Sequence, residues 1–412
     1  MINTYIVGIG MTRFGKHRHE SVKSLTAAAV TQALADCSIP PERVGAAFFA
    51  NTVQGELEGQ LMIRGQIALR PLGFEGIPII NVENACASGA TAVNLAVNHI
   101  RSGSADLALA VGVDKMISPD RELMFGIFDG AWDVHDTEAG RARLLSLGSA
   151  IKPPVGVSEQ KDRSFFMDVY AAFAKAHIAA FGTTQRQIAI ASAKNHCHSA
   201  LNPNAQYQHP MTVDEVLKAQ EIIWPFTSPM CAPVSDGAAA VLICSEDVLR
   251  ELPNPRPVKI LASQIKTGVD RTPMEFEKNV SHLVAQAAYN EAGVGPEDIS
   301  CAEIHDATAF AEIQQVESLM LTSFGRGGEL IESGACGIGG RIPVNTSGGL
   351  QSRGHPIGAT GIAQLHELAL QLRAEARDRQ VEGARLAIAE NGGGLYGIEE
   401  ASVAVTILEA NK

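Results

Sequence analysis

Residues 81–93 read NVENACASGATAV, and residues 352–364 read SRGHPIGATGIAQ. In each stretch a Gly-Ala-Thr triplet opens a run of small and apolar residues with helical spacing. In each, a side chain suited to nucleophilic or proton-transfer chemistry stands three positions ahead: Cys86 before Gly89-Ala90-Thr91, His355 before Gly358-Ala359-Thr360. The pattern predicts helices over 86–102 and 357–377. A short apolar strand follows each, ADLALAVGV at 105–113 and ARLAIAEN at 384–391.

A second pair of segments extends the match. Residues 28–49, AAVTQALADCSIPPERVGAAFF, and 283–304, LVAQAAYNEAGVGPEDISCAEI, each run from a small-residue helix through a Pro-Glu turn into an apolar strand. Proline falls where the helix has ended, and a buried strand suits the apolar run after it. Each copy follows a strand, TYIVGIG in the first and PVKILASQI in the second. A duplicated α/β architecture with a largely parallel buried sheet is expected. Residues 114 to about 230 have no counterpart, and GAAAVLICS at 237–245 closes the first half. Long insertions tend to carry function. The expected division is therefore 1–113 plus 231–255, an inserted segment 114–230 lying over a site, and 256–412. If the halves superpose, Cys86 and His355 occupy equivalent corners of one cavity.

Composition bounds the alternatives. The 412-residue chain is 46% hydrophobic and 19% charged, ordinary for a compact protein, and its net charge of −12 argues against a nucleic-acid footprint. Seven cysteines (37, 86, 197, 231, 244, 301 and 336) are scattered with no C-x-x-C pair, which fits reduced thiols. No secretory pattern is visible, and apolar runs are interrupted before membrane-spanning length. A cytoplasmic protein without nucleic-acid or membrane partners is expected.

Among candidate site residues, Cys86 precedes a helix, where amides and the macrodipole favour a thiolate, and its neighbours Ala85, Ala87, Ser88 and Gly89 are small. His355 is framed by Gly354 and Pro356, which suits an aimed ring. His305, in EIHDATAF, ends a strand where open α/β sheets place their sites. The competing reading is that His305-Asp306 only caps a helix at 308–323. Adjacent His196, Cys197 and His198 cannot all turn to one ion, so no metal site is expected. GGRIPVNTSGG and NGGGLYG lack P-loop features and read as backbone brought close to a substrate. Arg326, Arg341 and Arg353 read as solvated surface.

The chain resembles the thiolases over essentially its full length, carried by NVENACASGATAV, SDGAAAVLICS (235–245) and NTSGGLQSRGHPIGATG (345–361). HDATAF and KNHCHSALNP resemble the sterol-carrier-protein type of thiolase. The resemblance implies the thiolase fold: two duplicated β-α-β-α-β domains in five αβαβα layers, with an inserted loop domain. It implies that Cys86 carries an acyl group, that His355 activates the thiol, and that His355 with His305 holds the thioester or keto oxygen. Backbone amides of Cys86 and of the Asn391–Gly393 loop would form a second oxyanion site. It further implies no tightly bound cofactor, coenzyme A and acyl-CoA as substrates, a homodimer or tetramer, and a small OB-fold, zinc-ribbon partner protein.

One departure stands out. The second cysteine that shuttles a proton at the substrate α-carbon in such enzymes is absent: its two usual places read Glu390-Asn391-Gly392 and Ala307. Glu390, Thr308 or a water is a possible substitute, and Cys336 is a further thiol. The expected reaction is catabolic thiolysis of a 3-oxoacyl-CoA through a Cys86 acyl-enzyme, with benzoylsuccinyl-CoA-type cleavage as one instance. Biosynthetic Claisen condensation or acyl transfer, and a non-catalytic thiolase-like subunit of a complex, stay open.

Overall fold

The computed structural model describes residues 2–157 and 159–411. Its strands are β1 (Thr4–Met11), β2 (Ala46–Ala50), β3 (Ile79–Val82), β4 (Leu107–Asp114), β5 (Glu221–Ile223), β6 (Phe226–Thr227), β7 (Gly237–Ser245), β8 (Val258–Thr267), β9 (Cys301–Glu303), β10 (Leu386–Tyr396) and β11 (Glu399–Ala410). Apart from the β5–β6 hairpin they form one sheet in the order β3-β2-β4-β7-β1-β8-β11-β10-β9. The seam is a short antiparallel pairing of Thr4–Ile6 with Val258–Ile260.

Read outward from that seam, the two sides match. On one side come β1, β7, β4, β2 and β3; on the other β8, β11, β10 and β9, then a single parallel bridge from Ala302 to Val344. The pairings agree in direction at every step: antiparallel for β1–β7 and β8–β11, antiparallel for β4–β7 and β10–β11, parallel for β2–β4 and β9–β10. The sheet is thus mixed rather than largely parallel. β7 returns after the long insertion, and β11 follows β10 through a tight hairpin at Gly397, φ +67°; neither connection is the helical crossover that enforces parallel pairing.

Strand alternation sorts the core into three bands. Tyr5, Val7, Leu107, Leu109 and Val111 pack against the Val22–Cys37 helix on one outer face. Ile6, Ile9, Ala108 and Ala110 turn inward onto the Ser88–Arg101 and Thr360–Leu372 helices, and Ala387 and Ala389 meet the same helices from the other half. Ile388, Val403, Val405 and Ile407 face the other outer layer, built on the Val280–Ala292 and Ala309–Ser318 helices. The result is five layers, with each strand face buried as its period of two requires.

The two central helices touch along glycine. A β-carbon at Gly89 would stand 2.7 Å from the Gly358 carbonyl, and one at Gly361 would stand 2.5 Å from the Ala90 nitrogen. Both helices begin later than the sequence predicts. A single 3-10 turn, Ile357–Ala359, precedes the second, which ends at Leu372 because Ala374 turns to φ +57°.

Candidate active site

The chain between β3 and the first central helix turns sharply at Ala85, φ +47°, a left-handed conformation that strains a residue with a β-carbon. Glu83 Oε1 holds the turn by accepting the Ala85 N–H at 2.6 Å, and the Ser88 hydroxyl links the Asn84 N–H to the Ala85 carbonyl. Cys86 emerges from this bend half-buried, with the helix starting two residues later.

His355 is fixed from several directions. Gly354 adopts φ +108°, and a β-carbon there would meet the Ser235 hydroxyl at 2.7 Å; that hydroxyl accepts the His355 backbone N–H. His355 Nδ1 lies 2.6 Å from Thr360 Oγ1, and the Thr360 hydroxyl donates its own hydrogen to the Pro356 carbonyl at 2.9 Å. Thr360 must therefore accept from Nδ1–H, which leaves Nε2 as the basic nitrogen. Nε2 lies 3.3 Å from Cys86 Sγ. Asp114, at the end of β4, braces the same turn from the other half by accepting the Gly358 N–H at 2.6 Å.

His305 follows β9. Its backbone N–H donates to Glu390 Oε2 at 3.0 Å, and its ring stands 5.4 Å from the His355 ring, centroid to centroid. Sγ of Cys86 and ring nitrogens of His305 and His355 all fall within 4.8 Å of one another. Asp306 is not a helix cap: its carboxylate accepts from the Leu350 N–H and from Asn195 and Gln351, tying the His305 strand to the segment that leads into His355. Thr308 occupies the N-cap position instead. A second tie is buried. Arg353, 1% exposed, pairs with Glu303 at 3.2 Å, which corrects its reading as solvated surface.

Burial sets the protonation states. It lowers His305 to about 4, and it carries His355 well below the usual histidine range, helped by His305 and Arg353. It pushes the Cys86 thiol up to about 12, with Asp114 and Glu83 adding to the rise. The helix-start argument for a standing thiolate is outweighed by desolvation and two carboxylates. The resting site holds a neutral thiol facing a neutral imidazole.

The trio opens on a cavity of about 280 Å³. Its far wall is apolar and aromatic, from Met116, Phe125, Phe128, Phe166, Met167 and Tyr170. Gly393 lines the near wall; a β-carbon there would stand 2.4 Å from the Ala87 nitrogen and 2.9 Å from the Cys86 nitrogen. The other sequence candidates lie elsewhere. Glu390 stands behind His305, Thr308 is fully buried, and Asn391 packs its side chain against Gly361, all outside the cavity lining. Cys336 sits in the outer core. His196 and His198 turn to the carbonyls of Pro229 and Asn345, and Cys197 is exposed. Arg326 is exposed beside Glu329, and Arg341 reaches the Leu321 carbonyl.

Several polar groups in the lining escaped sequence reading, among them Arg121, Asp162, Arg163, Tyr170 and Glu400. Tyr170 lies in the helix DVYAAFAKAHIAAF, where it looks like ordinary core. Glu400 lies in GIEEASVAV, where the acidic pair looks solvated. The available signal was position: two adjacent acids starting a buried strand point to opposite faces, so one must face inward.

Comparison with known proteins gives the family. Residues 4–247 match the thiolase N-terminal domain, and residues 270–409 match the thiolase C-terminal domain-like family. The chain belongs to the thiolase family and is an acyltransferase by that membership. It is 36% identical to bovine (Bos taurus) sterol carrier protein 2 over 401 residues, covering 94% of this chain and 70% of that protein. It is 34% identical to the acetyl-CoA acetyltransferase of Methanothermobacter thermautotrophicus, covering 96% and 98%. It is 31% identical to the benzoylsuccinyl-CoA thiolase subunit BbsB of Thauera aromatica, covering 92% and 91%. Among solved structures, the Ltp2–ChsH2(DUF35) aldolase superposes with a TM-score of 0.80 at 22% identity, covering 100% of this chain and 98% of that one. Human mitochondrial 3-ketoacyl-CoA thiolase superposes with a TM-score of 0.69 at 16% identity, covering 100% and 98%. Both share the fold. No helix among the described residues is long and apolar enough to cross a membrane.

Proposed function

We propose that this protein cleaves a 3-oxoacyl-CoA with coenzyme A through an acyl-enzyme on Cys86, in a catabolic direction. The observation that carries the reading is the 3.3 Å contact between Cys86 Sγ and the basic nitrogen of His355, beside His305 and at the mouth of an apolar cavity. His355 Nε2 takes the thiol proton as sulfur attacks the 3-keto carbon, so the thiolate exists only when its electrophile is present. His305 and the imidazolium of His355 face the oxyanion that forms. The Cys86 and Gly393 amides, brought together at the near wall, serve the thioester oxygen. Carbon–carbon cleavage leaves the acyl group on sulfur, and coenzyme A then removes it, with His355 accepting the coenzyme A proton. Coenzyme A is a substrate here, and no resident cofactor takes part.

The aromatic far wall supports an acyl group larger than acetyl, and kinship with a benzoylsuccinyl-CoA thiolase subunit points the same way. The domain division 1–113 plus 231–255, 114–230 and 256–412 is the assignment we favour, because among the described residues no strand between β4 and β7 enters the large sheet. The β3 edge, with exposed Ile80 and the neighbouring Leu61, Met62 and Ile63, suits a homo-oligomer contact. A small OB-fold, zinc-ribbon partner is part of the same reading, supported by the two-protein assembly of the Ltp2 relative. Intact-protein mass spectrometry after exposure to a panel of 3-oxoacyl-CoAs tests the proposal. An acyl adduct on Cys86, discharged by coenzyme A and absent in Cys86→Ala, is expected; no adduct from any substrate, or full activity of Cys86→Ala, would refute it.

A further inference from the structure

The thiolysis reading leaves one proton without a donor. When the bond between the α-carbon and the keto carbon breaks, its electron pair stays on the α-carbon, and that carbon must be protonated. Neither usual position for a donor thiol carries one: one reads Glu390-Asn391-Gly392, the other Ala307. Glu390 accepts the His305 backbone N–H through Oε2 and its Oε1 also lacks a partner among the described residues, but its carboxyl lies outside the cavity lining. Thr308 is fully buried outside it as well.

Glu400 is differently placed. It lines the cavity together with Cys86, His305 and His355. It is 6% exposed, and among the described residues its Oε2 has no hydrogen-bond partner, while Oε1 takes a long 3.5 Å contact from Gln315. A buried carboxyl oxygen left free at a cavity wall is costly unless it has work there. Gly392 makes the placement possible. A β-carbon at 392 would stand 2.9 Å from Glu400 Cγ and 3.3 Å from His305 Nδ1, so the carboxyl and the imidazole fill the space that any other residue would occupy. The charged neighbours are also arranged for it. Glu399 is committed to Arg271 at 2.6 Å, and Tyr170 lines the same cavity. Burial, with Glu399 adding, raises the Glu400 carboxyl above its ordinary range, against the opposing pull of its own backbone N–H and Arg271. Glu400 in turn acts on the Cys86 thiol and the Tyr170 phenol. Cys231 also lines the cavity, but its thiol is engaged with the Thr227 carbonyl at 3.7 Å, and burial pushes it up to about 12.

We propose that Glu400 is the acid that protonates the substrate α-carbon, in place of the absent second cysteine; this rests on the thiolysis reading above. The proton balance closes. His355 takes the Cys86 proton, and sulfur adds to the keto carbon. Collapse of the oxyanion breaks the carbon–carbon bond, and the α-carbon takes the proton of Glu400, leaving a carboxylate. The imidazolium of His355 returns its proton to that carboxylate by way of water as the shorter acyl-CoA leaves. His355 is then free to accept the coenzyme A proton and hand it to the departing Cys86 thiolate.

The test separates this step from acylation. Wild type, Glu400→Gln, Glu400→Asp and Cys231→Ser are compared in two assays. One is acylation of Cys86 by a simple acyl-CoA, read by intact mass. The other is exchange of acyl-CoA α-hydrogens in deuterated water, read by NMR. Glu400→Gln is expected to acylate within about twofold of wild type yet lose exchange and thiolysis by about 10²–10⁴-fold, the usual worth of a general acid. Glu400→Asp should recover part of the loss, and Cys231→Ser should lose far less exchange than Glu400→Gln. Retained acylation shows that the Gln variant has folded. Exchange at wild-type rate in Glu400→Gln, or its loss in Cys231→Ser alone, would overturn the assignment of Glu400. Wild type that forms no Cys86 adduct would overturn the thiolysis reading, and the assignment with it.

Discussion

Cys86 and His355 are 269 residues apart in the chain, occupy the same position in the two halves, and meet at 3.3 Å where the two central helices begin. Each helix repeats one further detail. Thr91 donates to the Ala87 carbonyl and Thr360 to the Pro356 carbonyl, four residues back in both cases. In the second half the same hydroxyl also orients the imidazole. Thr360→Val should therefore release Nδ1 and scramble the tautomer. Turnover is expected to fall at least about tenfold with little change in Michaelis constant, as for loss of a transition-state interaction. Steady-state kinetics beside a thermal melt would show whether the loss is chemical.

The protonation states carry a prediction about reactivity. With the Cys86 thiol pushed up to about 12, alkylation by iodoacetamide should be slow at neutral pH and climb steeply through the alkaline range. A labelling rate already maximal at pH 7, followed by peptide mass spectrometry, would contradict a resting thiol. Acyl-CoA should still react readily at neutral pH, because it brings its own oxyanion contacts.

The glycine seam should be intolerant of a methyl group. Gly361→Ala places a carbon 2.5 Å from both the Ala90 nitrogen and Asn391 Oδ1. The Ala90 nitrogen is backbone and cannot swing aside, so the helices must part. We expect a loss of about 1–3 kcal/mol in denaturant melts, as for other overpacked cores. Activity should fall further than stability, since the same displacement widens the sulfur–imidazole gap.

Arg353 and Glu303 form a buried pair with no route to solvent. Removing the cation by Arg353→Leu strands a buried carboxyl and should destabilise the protein by about 3–5 kcal/mol, measurable by urea unfolding. Exchanging both partners for apolar residues should cost much less. A single variant as stable as wild type would mean that the pair contributes nothing.

Acid should weaken the fold through its histidines. His305 and His366 are lowered to about 4, and His198 to about 3, against an ordinary value of 6.5. A depressed folded-state value means stability that is whole above about 6.5 and is lost as pH falls toward 4 and below, because the unfolded chain takes up protons first. The buried carboxyls Asp306 and Glu303, raised to about 8 and about 7, act in the opposite sense, so the histidine share is read as the difference in melting temperature between wild type and a histidine variant across that window. His366→Gln, away from the cavity lining, should flatten part of the slope.

Much of this was readable beforehand. The duplicated β-α-β segments and the paired Gly-Ala-Thr helices announce the fold, because helix and strand periods are local. The strand order is not local. β7 and β11 join antiparallel to their neighbours only because of where long connections return, which no window of residues records. The site divides the same way. Cys86 and His355 sit in recognisable turns, but Arg353 looked exposed because its partner Glu303 lies 50 residues upstream. Glu400 was hidden for a related reason: its inward direction depends on the register of β11 against β10, where it faces Leu395.

Every aromatic ring lining the cavity comes from the stretch between β4 and β7, whereas the sulfur and both imidazoles come from strand–helix junctions of the layered frame. On the proposed thiolysis, choice of acyl group and execution of the reaction would thus be encoded in separate parts of the chain. Drift in the first can retune what enters without disturbing the atoms that react, so one scaffold can acquire new substrates while its chemistry stays constant.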